Sequence, residues 1–255
     1  MRRPLILCHH AVSEKWPAAL ASTPAQLREQ CAYLKRKGYT GFTLDGLKGW
    51  DSHGKAVALT FDDAFSSVWQ LAKPILDEFG FPATMFVPTG YIAGDGPMAW
   101  PGTDQWLGTE YEAELAPMTW NELRECHSAG WQIGSHTVTH PRLTKCSAVQ
   151  LRSELEESRA TCEAEIGAPC TSLAYPYGDH DDRVVEATRA AGFNSAVTLP
   201  QAFGETDPLR IPRVGVYRAD DTRRFRLKVS APVLALRRTS VGPRVAGWAR
   251  AVTRR

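Results

Sequence analysis

Apolar and polar positions along this chain fall into blocks that switch between two periods. Short apolar runs at Pro4 to Cys8, Ala56 to Phe61, Ala83 to Val87 and Ser172 to Tyr175 have the length of strands covered on both faces, as in a parallel sheet. Longer segments between them carry apolar residues at helical spacing. These are Leu27, Cys31 and Leu34; Val68, Leu71, Ile75, Leu76 and Phe79, with a bend near Pro74; and Leu151, Leu155, Cys162 and Ile166. Thr23-Pro24-Ala25-Gln26 combines an N-cap, a first-turn proline and a capping-box glutamine, while Gly38, Gly80 and Gly192 close helices. Further helices are predicted from Thr119 to about Ala129 and from Asp182 to Ala191. Further strands are predicted at Gly41 to Leu44, Trp131 to Gly134, Asn194 to Thr198 and Val214 to Tyr217. Trp16 to Ser22 reads as loop, and Pro88 to Pro117 as a long connection rich in Gly and Pro, of a length that is usually functional or disordered. Strand and helix alternate at least five times, which predicts an α/β fold on a parallel sheet, closed as a barrel or doubly wound.

At 255 residues the chain suits one domain, residues 1–221, followed by a tail, 222–255. The net charge of +2 conceals an asymmetry: the tail holds ten Lys or Arg and no acid, so the body is acidic and the tail basic. A basic segment interleaved with Val, Leu and Trp248 could lie on an anionic membrane surface or an acidic partner, or form a solvated last helix. The acidic body offers no groove for nucleic acid. The apolar stretch at the start is short for an export signal, and no run has the roughly 20 apolar residues of a membrane span. A cytoplasmic location is the resulting expectation, peripheral at the inner membrane face if the tail binds there. Six cysteines without paired or zinc-finger spacing are expected as buried, reduced thiols.

In sheets of this kind reactive groups gather where strands end. Four sets do so here: His10, preceded by His9; Asp62 and Asp63; His136 and His140; and Pro176-Tyr177-Gly178. Adjacent carboxylates need a cation between them, or else serve as a turn and helix cap. Two imidazoles four apart, joined by a carboxylate from a neighbouring strand end, form a facial set with open positions, the arrangement of a catalytic metal. The second carboxylate would then be free to act as base toward a metal-activated water, with the Tyr177 backbone N–H as oxyanion donor. The plainer alternatives are packing histidines and an ordinary turn. His53, His127 and His180 lack partners and are expected to be exposed; Trp120 and Trp131 are expected in the core, and Asp179, Asp181 and Asp182 in a turn and N-cap.

Thr60-Phe61-Asp62-Asp63, Ser135-His136-Thr137-Val138-Thr139-His140 and Tyr175-Pro176-Tyr177-Gly178, in that order, resemble the first three motifs of the polysaccharide deacetylase family, the NodB homology domain or carbohydrate esterase family 4. The resemblance runs from the first strand to about Tyr217. It implies a distorted (β/α) barrel and metal-dependent removal of an acetyl group from an N-acetylated sugar. Carried over by position, it implies Asp62 as base, Asp63, His136 and His140 as ligands of a divalent metal, and Tyr177 as oxyanion donor. The usual metal is zinc, with cobalt or nickel in some members. Three departures stand out: Ala64 where many members have Gly, Ala174 where many have Arg, and no late Leu-x-His motif. The Ala-Tyr-Pro-Tyr-Gly motif is similar to the branch that deacetylates poly-N-acetylglucosamine, which implies His10 as the general acid. Arg213 is the candidate to replace the missing arginine beside Asp62, a surface ion pair being the alternative. Trp100 and Trp106 could stack on sugar rings or pin the long loop. A glycan, glycolipid or glycoside precursor is the expected substrate. Two rivals remain: a deacylase or deformylase using the same site on a non-sugar amide or cyclic imide, and a catalytically silent glycan-binding relative.

Overall fold

A computed structural model of the chain describes residues 3–51, 53–92, 94, 96–199 and 207–236. In chain order its strands are β1 (Leu5–His9), β2 (Ala11–Val12), β3 (Ala21–Ser22), β4 (Tyr39–Phe42), β5 (Lys55–Phe61), β6 (Ala83–Val87), β7 (Gln132–Ser135), β8 (Ser172–Ala174), β9 (Ser195–Thr198), β10 (Ile211–Pro212) and β11 (Val214–Gly215). The helices are α1 (Pro24–Arg36), α2 (Lys73–Phe79), α3 (Thr89–Ile92), α4 (Trp120–Ser128), α5 (Ala148–Ile166), α6 (Asp182–Ala190), α7 (Thr222–Lys228) and α8 (Ala231–Leu236).

All the strands but β2 and β3 join one parallel sheet in the order β10-β9-β8-β7-β6-β5-β1-β11. β5 is its hub. One edge pairs with β1 from Leu5↔Val57 to His9↔Phe61, and the other is shared, β4 running beside its first half and β6 beside its end. The two ends of the sheet are consecutive pieces of a single segment. β10 pairs with β9, β11 pairs with β1, and Arg213 is the residue between them. The sheet therefore closes on itself nearly as a barrel, and the closing residue is an arginine.

Period-two alternation divides the strand side chains between two apolar layers. Ile6, Ala58, Phe86, Ala174 and Val197 fill the interior, while Leu5, Leu7, Val57, Leu59 and Met85 face the surrounding helices. Those helices begin where the sequence places caps: Thr23 with Gln26, Thr119 with Glu122 and Ser147 with Gln150 form reciprocal capping boxes, and Asp181 caps α6.

Several local expectations shift. The second strand runs over Tyr39–Phe42, earlier than Gly41 to Leu44, because the Leu44 N–H leaves the ladder for Thr84 Oγ1. Trp16 to Ser22 is not all loop: it ends in β3, and two-residue strands are too short to show a period. The bend before Pro74 is a π turn over Val68–Ala72. His127 and His180, expected exposed and alone, are part-buried. His127 Nδ1 meets the Trp131 carbonyl at 3.2 Å; His180 meets that of Gly178 at 2.9 Å and stacks on Tyr175. Both turns supply a carbonyl that no side-chain pattern records. Trp131 is buried as expected, and Trp120 packs partly buried against the core. The basic segment starts on the body of the molecule, since α7 buries Phe225 edge-on against Tyr33 of α1. Residues 237–255, Trp248 included, lie outside the described residues.

Candidate functional site

Three of the sheet's strands, β5, β7 and β8, end in strained backbone. Asp63 and Ala64 after β5, Thr137 and His140 after β7, and Tyr177 after β8 all have positive φ, between 54° and 73°. Among the described residues no other non-glycine does. Such conformations cost about 1–3 kcal/mol each and persist only where the surroundings impose them. Here the imposing contacts are visible. Ser135 Oγ accepts from the Thr137 N–H, Thr137 Oγ1 from the His140 N–H, and Glu154 of α5 from the N–H groups of Val138 and Thr139. The Gly90 N–H of α3 donates to the Val138 carbonyl, so close that a side chain at 90 would meet that oxygen at 2.8 Å.

The result is a compact donor set. Nε2 of His136 and of His140 stand 3.4 and 3.5 Å from Asp63 Oδ1, and all three side chains are at most 4% exposed. A tetrahedral ion with bonds of about 2.0–2.1 Å separates its ligands by roughly 3.4 Å, so the spacing is that of a metal's coordination edge. His136 Nδ1 donates to the Ala174 carbonyl at 2.8 Å, which leaves the Nε2 lone pair facing Asp63. Asp63 Oδ1 is buried without a hydrogen-bond partner. A buried carboxylate oxygen without a donor, faced by two imidazole nitrogens, fits a divalent cation. The electrostatics agree. Burial would raise the Asp63 pKa, and His136 and His140 overcome it and lower it. His136 is raised against its own burial by Asp63 and Asp62, while burial and His136 lower His140 to about 3.

Beside this set lies Asp62, held differently. Arg213, at the closure of the sheet, reaches inward and grips it with two bonds of 2.6 Å, Nη1 to Oδ1 and Nη2 to Oδ2; Nη1 also donates to Thr60 Oγ1. Arg213 is fully buried, so the surface ion pair weighed for it is excluded. Ala174 is interior as well, and in its place the guanidinium comes from the closure of the sheet. Burial would raise the Asp62 pKa, but Arg213, then His136, holds it well below the usual carboxylate range. His10 and Cys8 approach the same carboxylate, one donor atom of each residue lying within 4.8 Å of the others. His10 Nδ1 is buried without a partner. These three residues have metal-binding chemistry, yet the bidentate Arg213 already supplies the positive charge there and disfavours a second cation.

Tyr177 forms one wall. Its ring packs edge-on against His140 at 4.7 Å, carries the Arg142 guanidinium at 4.3 Å, and its hydroxyl donates to the Pro101 carbonyl. Gly178 behind it has φ 69°, and a Cβ there would stand 2.8 Å from the Leu199 nitrogen. Trp100 is 6% exposed, with its ring 4.2 Å from that of His140 and further contacts to Tyr91 and Phe65. Trp106 packs on Trp16 and Tyr111. Both indoles therefore anchor the long loop, Trp100 directly upon a candidate ligand. Sequence reasoning singled out every member of the donor set but gave no role to Cys8, Glu154 or Arg142. Only Arg142 carried a legible signal, two residues after His140.

The polysaccharide deacetylase family model matches residues 50–196, more than half of the chain. Among curated proteins, a poly-beta-1,6-N-acetyl-D-glucosamine N-deacetylase of Staphylococcus aureus is 24% identical over 205 residues, 74% of this chain and 66% of that protein. YxkH of Bacillus subtilis is 25% identical over 153 residues, 60% of this chain and 48% of its own length. The chain thus spans about half to two thirds of these relatives. Among solved structures, the deacetylase PplD of Streptococcus pyogenes, in complex with acetate, superposes with a TM-score of 0.74 at 21% identity, covering 89% of this chain and 98% of that one. IcaB of Ammonifex degensii gives 0.67 at 21% identity, over 92% and 97%. These two structures share the fold.

Proposed function

The chain belongs to the polysaccharide deacetylase family, and from that premise we propose that it hydrolyses the acetamide of an N-acetylated sugar within a glycan or glycan precursor. The observation that carries this reading is the pairing of two unlike carboxylates: Asp63, 3.4 and 3.5 Å from His136 and His140 and lacking a donor, beside Asp62, clamped by Arg213.

Asp63, His136 and His140 would hold the divalent ion, and their nitrogen and oxygen donors suit zinc, with cobalt or nickel as alternatives. When bound, the ion supplies Lewis acidity toward the amide carbonyl and acidifies a water. The protein's own groups carry the proton traffic. Asp62, kept ionised by Arg213, accepts a proton from the attacking water as the C–O bond forms. The Tyr177 N–H, presented by a positive-φ turn, donates to the developing oxyanion. His10, near Asp62 and with an unpartnered nitrogen, delivers a proton to the amine as the C–N bond breaks. Acetate and a free amino sugar result.

The test is acetate release from β-1,4- and β-1,6-linked N-acetylglucosamine oligomers after chelation and reloading with zinc, cobalt or nickel. Release is expected only from the metal-loaded protein. Bound metal with hydrolysis of a formamide or cyclic imide and none of any sugar would transfer the site to the non-sugar rival. Failure to bind any of the three metals would leave the silent relative.

A further inference from the structure

β1 sends Cys8 toward Asp62, at a point where neither the donor set nor the proton steps above call for a thiol. Cys8 is fully buried, and its Sγ stands 3.4 Å from Asp62 Oδ2; the other oxygen in range is the adjacent His9 carbonyl at 3.9 Å. Burial pushes the thiol pKa well up, opposed by Arg213 and reinforced by Asp62. The hydrogen therefore stays on sulfur, and the S–H donates to the carboxylate. A thiol held protonated in this way is neither a metal ligand nor a nucleophile.

The lone pairs of Asp62 show what the thiol does. A carboxylate has four acceptor positions, two on each oxygen. Arg213 fills one on Oδ1 and one on Oδ2, and the Cys8 thiol fills the second on Oδ2. Among the described residues nothing fills the second position on Oδ1. We infer that Cys8 is a positioning residue that closes Oδ2 and confines proton uptake by Asp62 to Oδ1. In the step concerned, the water proton passes to Oδ1, the thiol proton stays on sulfur, and no group is oxidised. This inference rests on the reading of Asp62 as the base.

Two variants separate donor from filler. Cys8→Val keeps the bulk of the side chain and removes the donor; Cys8→Ser keeps a donor in a smaller side chain. In the full-length, metal-loaded protein, Cys8→Val is expected to lower kcat about tenfold with KM within about twofold, and Cys8→Ser to restore most of that loss. An independent readout is the infrared S–H stretch of Cys8, isolated by subtracting the Cys8→Val spectrum from that of the parent protein. It is expected below the band of the other buried thiols and to move upward in Asp62→Asn. Full kcat in Cys8→Val with impaired Cys8→Ser would reduce Cys8 to packing, and a band indifferent to Asp62→Asn would remove the hydrogen bond; either overturns the inference. Turnover retained in Asp62→Asn while the band still moves would instead overturn Asp62 as the base.

Discussion

At the amino-terminal ends of β7 to β9, Asp45 accepts from Gln132 Nε2 at 2.8 Å and from the hydroxyls of Thr171 and Ser172, and pairs with Lys48. Gln132 Oε1 takes the Asp45 N–H and the Thr84 hydroxyl, and Ser172 meets Ser195. At the carboxyl ends of the sheet's strands, chiefly β1, β5 and β7, the other polar cluster is built in the opposite way. Asp63 Oδ1, His140 Nδ1, His10 Nδ1 and Arg213 Nε are buried without partners, and the positive-φ residues crowd around them. A satisfied network rigidifies its surroundings and has nothing left to offer a ligand. An unsatisfied one, held in place by strained backbone, is costly to keep and has chemistry to spare. The two ends of one sheet thus differ in whether their hydrogen-bond valence is used up.

The largest effects should come from breaking the carboxyl-end cluster. His136→Ala is expected to abolish bound metal and to lower kcat at least about 1,000-fold, while Asp62→Asn keeps the metal and loses turnover by a similar factor. Metal content by elemental analysis, set beside acetate release, checks both. The metal-free stability of His136→Ala should also fall, by about 1–3 kcal/mol, because the deleted ring is buried and its hydrogen bond to the Ala174 carbonyl is lost. Loss of metal from Asp62→Asn would make Asp62 a ligand, and metal retained in His136→Ala would remove His136 from the donor set.

Breaking the amino-terminal cluster should show the complementary profile. Asp45→Ala leaves Gln132 and Thr171 without their acceptor and is expected to cost about 2 kcal/mol of stability, read from denaturant midpoints. Its kcat per folded molecule should stay within twofold. A large fall in kcat with normal stability would mean that the two ends are coupled through the sheet.

Much of the carboxyl end was legible because it is written in contiguous motifs. Asp62-Asp63, His136 to His140 and Tyr177 each follow a strand whose apolar run is visible, so their convergence followed from alternation alone. Arg213 was legible as a residue but not as the closure of the sheet, since β10 and β11 are each two residues long and show no period. Cys8 read as one more buried thiol, because an alternating strand does not reveal what its inward side chain will meet. The Asp45 network was silent: it joins residues up to 127 positions apart through short polar side chains that each, alone, fit a turn or strand start.

His9 sharpens the comparison, being unsatisfied yet outside both clusters. Both ring nitrogens lack partners, and the ring stacks on Phe61 at 5.2 Å among outward-facing apolar residues. Burial first, then His10, lowers its pKa from 6.5 to about 3. A histidine depressed by folding contributes its full stability above its unfolded pKa. That contribution is lost as pH falls from about 6.5 to about 3, at up to about 1.4 kcal/mol per pH unit. His9→Phe should keep the stacking and flatten the stability curve between pH 6.5 and 5. His140 titrates alike in both proteins, so the difference between the two curves isolates residue 9. Parallel curves would mean that His9 is protonated in the fold, with a partner.

The smallest effect is expected at Ala64, whose φ of 54° is the conformation that glycine adopts freely. Ala64→Gly relieves strain of about 1–2 kcal/mol. Against that stand the loss of one fully buried methyl, about 0.8 kcal/mol, and the added freedom of the unfolded chain, about 0.4–1 kcal/mol. These offset, so stability should move by less than about 1 kcal/mol and kcat by less than twofold. The Ala64 carbonyl accepts the Met118 N–H at 2.8 Å, a bond either residue can make, which keeps the turn in place. On this arithmetic alanine at 64 is compatible with a working site, and the departure from glycine does not favour a silent relative. A stability loss above about 2 kcal/mol, or a tenfold fall in kcat, would show instead that the methyl group itself holds Asp63 toward His136 and His140, and would extend the strained carboxyl-end cluster by one residue.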